Sequence, residues 1–234
     1  MHNTWWAKTL RIVGIVLMAL TAAFTIMGGA GTSCVALNPT GYEGKFAGIA
    51  PFQWLYIAFV LVTLVIGVFG VRAVVLLVKG TKDAYRQSMI VLVAGVLVGA
   101  IHIIASRSLR GGSMPVDMVV YATVLTLLVF LLFKFPAIWQ GVNFEKPAGG
   151  GKMDPHIVPI TLAATGLLTL IIQFLMAPTH TIGGFNYADA WHATLTLLGA
   201  GQILIGACLA LYRLRILPQL TTKSRRHEVT TKFS

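Results

Sequence analysis

The chain has 234 residues, of which 56% are hydrophobic and only 11% charged, and its net charge is +11. A soluble domain carries about 25% charged residues, and a fold of this length with a mean hydropathy of +0.81 has too little polar surface to face water. The positive charge does not point to nucleic acid. Lys and Arg sit in short segments between apolar runs, and no basic helix carries interleaved aromatics.

A membrane-spanning helix needs about 20 mostly apolar residues, and six stretches supply them. The first covers residues 9–27, with Lys8 and Arg11 at its start and Gly28, Gly29 and Gly31 as the expected stop. Its apolar run is longer than the usual signal-peptide core of about 7–15 residues, so it reads as a retained helix. A loop over 28–51 follows, bracketed by Asn38-Pro39 and Pro51 and holding Tyr42, Glu43, Lys45 and Phe46. That loop is long enough to fold over the bundle or dock on a partner. The second helix covers 52–78, and the third, at 88–106, is as short as the first.

Gly111, Gly112 and Pro115 lead into the fourth helix, 116–135, the most apolar of the set. It has no glycine and is bulky throughout, which suits a face toward lipid or a partner. Pro147 and Gly149 to Gly151 precede the fifth helix, 156–176, where Pro159 falls in the first turn and costs little. Pro178, Gly183 and Gly184 separate it from the sixth, 191–212, and a basic tail occupies 213–234. Trp5, Trp6, Trp54, Trp139 and Trp191 all fall at or just beyond expected helix ends, where the interface favours tryptophan.

With the N-terminus inside, 15 of the 18 Lys and Arg residues lie on the inner side; only Lys45, Arg107 and Arg110 lie outside. Basic residues favour the cytoplasmic face. The expected fold class is therefore all-α: a single polytopic integral membrane domain of six helices, both termini cytoplasmic, in a prokaryotic plasma membrane. Arg72 and Lys134 lie near cytoplasmic ends and read as snorkelling anchors. Cys34 and Cys208 fall in different environments, outside and within a helix, which disfavours a disulfide.

Chemically active groups are sparse. No Asp or Glu lies deep in a helix, which argues against proton pumps and ion-coupled carriers. His102, in the third helix, is the most informative residue; the bland alternative is a neutral histidine bonded to a neighbouring helix. His192 and His180 join it toward the outer side. His102 and His192 are a candidate pair of haem ligands from facing helices. His180, His192 and Asp189, with Cys34 beside them, are a candidate transition-metal set of suitable ligand types. The competing view makes all of them interfacial polar residues and helix caps.

Gln202, in the sixth helix, and Gln173, in the fifth, are read as interhelical glue, with a quinone or other cofactor contact as the alternative for Gln202. Ala19 and Ala23, Gly95 and Gly99, and Gly206 and Ala210 repeat at the spacing that lets helices approach closely. No nucleotide loop, zinc-protease helix or catalytic triad is recognisable, so the expectation leans away from an enzyme. The leading expectation is a small accessory or scaffold subunit. Its surroundings are the lipid bilayer and a membrane-protein partner or second copy. A redox protein holding haem or quinone near the outer leaflet is the alternative, and a small transporter or channel for a neutral or apolar solute comes next.

Overall fold

The computed structural model describes residues 5–145 and 156–231. The expected turn at Pro147 and Gly149 to Gly151, together with Lys146 and Lys152, lies outside the described residues. The chain is an all-α membrane bundle. Its elements are α1 (Trp5–Leu37), a 3-10 turn (Ala47–Phe52), α2 (Gln53–Lys79), α3 (Ala84–Arg110), α4 (Val116–Leu132), α5 (Pro136–Val142) and α6 (Ile157–His180). A small hairpin of β1 (Thr181–Ile182) and β2 (Phe185–Asn186) and a 3-10 turn (Tyr187–Trp191) then lead into α7 (His192–Thr231). Five helical segments are long and apolar enough to cross a membrane, and α4 with α5 makes a sixth if that bent pair is one span.

Helices α1 to α4 form a closed body in which α1 packs on α2, α2 on α3, α3 on α4 and α4 back on α1. Helix α6 packs on the outer side of α1, and α7 packs on α6. At the end of the bundle where the chain begins, the core gathers Ile15, Met18, Leu77, Tyr85, Leu92, Phe130, Phe133 and Phe144. At the opposite end a smaller core joins Ala36, Phe46, Ile49, Tyr56 and Val60, with Ile182 of the hairpin packed against it.

The third helix is not among the shortest, since α3 extends four residues beyond the expected 88–106 at each end, to Ala84 and Arg110; three further boundaries differ for a physical reason. Helix α1 does not stop at Gly28, Gly29 and Gly31 but runs to Leu37. Those glycines serve close approach instead of termination. A Cβ at Gly28 would lie 2.9 Å from Val119 Cγ2, and one at Gly29 would lie 3.0 Å from Leu64 Cδ2. The loop shortens accordingly, and its second half becomes the 3-10 turn.

The fourth helix ends at Leu132 instead of 135, and the chain turns by 97° into α5. Pro136 sits at the first position of α5 and holds Phe135 in an extended conformation (φ −58°, ψ 130°), as a residue before proline prefers. Finally, α7 passes Tyr212 without a break and continues to Thr231, so the expected tail is largely helical. Elsewhere the stops are as local chemistry demands. Gly80 (φ 66°) closes α2 with its N–H on the carbonyls of Leu76 and Leu77, and Gly111 (φ 72°) closes α3.

Candidate functional site

The polar groups of the bundle fall into three places. Near the chain's beginning, Arg11 is 6% exposed, and its guanidinium donates to the carbonyls of Asn143 (3.0 Å), Leu77 (3.4 Å) and Val142 (3.5 Å). These carbonyls belong to the C-terminal ends of α2 and α5, where helix dipoles favour a cation. The same guanidinium lies 5.6 Å from the centre of the Phe144 ring. Beside it, the Tyr85 hydroxyl donates to the Phe130 carbonyl at 2.6 Å, and Lys134 Nζ lies 5.0 Å from the ring centres of both Tyr85 and Trp139. Lys134 thus caps an aromatic pair. Counting charge along the sequence makes Arg11 a topology marker. Its three carbonyl partners are distant in sequence, so no local pattern announces the staple.

The second place is the middle of the four-helix body, toward its other end. His102 is 4% exposed. Its ring stacks on Phe59 with centres 4.4 Å apart and planes 11° apart, and meets Tyr56 edge-on at 5.4 Å. Tyr56 is fixed in turn by a 2.9 Å hydrogen bond shared with the Ser106 hydroxyl. His102 lines a cavity of about 40 Å³ between α1, α2, α3 and α4, together with Thr25, Thr32, Thr63, Thr123 and several glycines. The buried Nε2 of His102 makes no hydrogen bond to a protein group. Above it, Asp117 accepts from Ser113 at 2.8 Å and pairs with Arg107 at 3.4 Å, which joins the end of α3 to the start of α4.

The third place is the seam between α6 and α7. Gln173 is 5% exposed, and its Oε1 accepts from His192 Nδ1–H at 2.8 Å. The Oε1 of Gln202 and the Oγ1 of Thr161 are buried in this part of the molecule without a hydrogen-bond partner. Thr165 and Thr169 donate to carbonyls one turn back on α6, at 2.9 Å each. Close approach comes from glycine. A Cβ at Gly166 would lie 2.7 Å from the Gly199 carbonyl, and one at Gly199 would lie 2.8 Å from the Gly166 carbonyl. The spacing rule selects Gly206 and Ala210 but misses this opposed pair, because its two members sit on different helices.

The sequence-derived sets are therefore distributed. His102 sits where α3 packs against α2 and α4, whereas His192 sits where α7 packs against α6. The His102 ring packs on Phe59 and Tyr56, and the His192 ring bonds Gln173. The metal set is not assembled either. His180 Nδ1–H donates to the Met176 carbonyl at 3.0 Å, and Asp189 Oδ1 accepts from Asn186 Nδ2 at 2.9 Å. Among the described residues no three His, Cys, Asp or Glu side chains converge as metal ligands. Cys34 and Cys208 are free and exposed. No known protein family, curated protein or solved structure matches the chain.

Proposed function

We propose that the protein is a small accessory or scaffold subunit of a larger membrane assembly, and that the α6–α7 hairpin is the arm that meets the partner. One observation carries this reading. Helix α7 has 40 residues, a length of about 60 Å, whereas the hydrocarbon core is about 30 Å thick. A helix of that length exceeds the hydrocarbon thickness by about half its length, and a helical segment in water is marginal unless it packs on something.

The membrane half adds support. Only 11% of its apolar window is buried within the chain, against 44% for α1. Leu197, Leu204 and Leu211, seven residues apart, form an exposed stripe, and Leu198 and Ile205 flank it. In this reading the termini face the cytoplasm of a prokaryotic plasma membrane, and the 15-to-three division of Lys and Arg supports that.

The test is purification in mild detergent followed by native mass spectrometry. Wild-type protein should carry a stoichiometric membrane-protein partner, and a Leu197→Ser, Leu204→Ser variant should lose that partner while keeping its helical content and its thermal transition. A chain that runs alone in its natural membrane extract, or a partner held equally well by the variant, contradicts the reading.

A further inference from the structure

The cavity at His102 has a chemistry that the scaffold reading does not use. Three of its four threonines spend their hydroxyl protons on their own helices. Thr25 donates to the Thr21 carbonyl (2.8 Å), Thr32 to Gly28 (2.7 Å) and Thr123 to Val119 (2.7 Å). What these hydroxyls keep for the cavity is lone pairs. The fourth threonine, Thr63, lines the cavity too, and the fifth polar element is the His102 imidazole, stacked on Phe59 and met edge-on by Tyr56. Its Nε2 is buried with no protein group to bond, and a buried polar atom left without a partner is costly.

Within a largely apolar lining the walls therefore offer hydroxyl acceptors, the Thr63 hydroxyl, and an imidazole that can donate or accept according to tautomer. An apolar gas meets only the valine and isoleucine part of the lining and leaves the hydroxyls and the imidazole unpaired. A small neutral molecule that brings N–H or O–H donors satisfies them. About 10–15 Å³ is needed for each water, so a cavity of about 40 Å³ takes two or three waters or a molecule of similar size. A charged guest would face the hydrocarbon interior without a counter-charge, since the cavity lining holds no acidic residue.

We propose that the cavity between α1, α2, α3 and α4 is a binding site for small neutral hydrogen-bond donors, with water as the resident, anchored by His102 Nε2 and the threonine hydroxyls. The site is independent of α6 and α7, so the failure of either proposal leaves the other standing. Gly28, Gly29, Gly95 and Gly99 let the helices close around the cavity, since a Cβ at these positions would press on Val119, Leu64, Thr123 or Val120.

The experiment is a high-resolution structure of the full-length protein in lipid, with and without xenon pressure. Xenon is the probe because a dry apolar cavity accepts it. The expected result is ordered water within hydrogen-bonding distance of His102 Nε2 and no xenon in the cavity. A xenon peak with no water at Nε2 overturns the proposal. In the variant His102→Leu, the water at that position should be lost and xenon should enter. Unchanged water there also overturns it. Should His102→Leu fail to fold, Thr123→Val keeps the shape and removes one acceptor. At least one water peak should then disappear, and an unaltered set of peaks would count against the threonine role.

Discussion

The four-helix body and the α6–α7 hairpin are both made of apolar helices, yet they are held together by different means. In the body each helix has two neighbours, and buried polar bonds tie segments far apart in sequence: Arg11 to Leu77, Val142 and Asn143, Thr21 to Thr126, Tyr56 to Ser106, Tyr85 to Phe130. In the hairpin, α7 has α6 and the preceding 3-10 turn as its main neighbours, and the described residues join them through a glycine contact and the bond of Gln173 to His192. Lipid is as apolar as leucine, so burial alone does not hold membrane helices together. The body has many of the directional contacts that do, and among the described residues the hairpin shows fewer. A one-sided helix is what an arm for a partner requires.

The largest expected effect is at Arg11. Arg11→Met removes the cation from the C-terminal ends of α2 and α5, and leaves their carbonyls without it. A loss of about 3 kcal/mol in reversible denaturation from detergent is expected, since breaking a buried charge network costs about that much. Arg11→Lys should restore less than half, because one ammonium lacks the planar fork that reaches several carbonyls. A change below about 1 kcal/mol would place the strength of the body elsewhere.

Next comes Gly199→Leu, which drives a side chain into the Gly166 carbonyl. Overpacking of this kind costs about 1–3 kcal/mol. It should loosen α7 from α6 while the body keeps its transition, seen as faster proteolysis at the β1–β2 hairpin. Equal loosening of α1 to α4 would show that hairpin and body are one cooperative unit.

Smaller again is Tyr85→Phe, which strands the Phe130 carbonyl and should cost about 1 kcal/mol in the same denaturation assay. The smallest is His192→Ala. An interhelical bond in a membrane is worth about 0.6 kcal/mol on average, so loss of the Gln173 contact should barely move the transition. A large effect would mean that His192 holds more than Gln173.

How far the sequence could be read follows the same division. Span positions were legible because bilayer thickness imposes them locally. The break at Pro136 was also written locally, in a proline that fixes the residue before it, but the apolar run 124–133 masks it. The glycines of α1 misled because glycine stops a helix in water and admits a neighbouring helix in a membrane; which role it plays depends on Val119 and Leu64, distant in sequence. His102 was recognisable as an intramembrane ionisable group. Its surroundings were not, since Phe59, Tyr56 and the threonines come from three other helices. His102 and His192 suggested a pair only because both lie toward one end of the bundle, and depth along the membrane says nothing about which helices adjoin.

The most direct test of the body-and-arm account is site-specific photo-crosslinking in native membranes, with the photoreactive residue at Leu204 on α7 or at Leu125 on α4. Both positions are exposed. The account predicts a discrete protein adduct from Leu204 and lipid adducts alone from Leu125. Lipid adducts alone from both positions would contradict it, because α7 would then be an ordinary lipid-facing helix and not an arm for a partner.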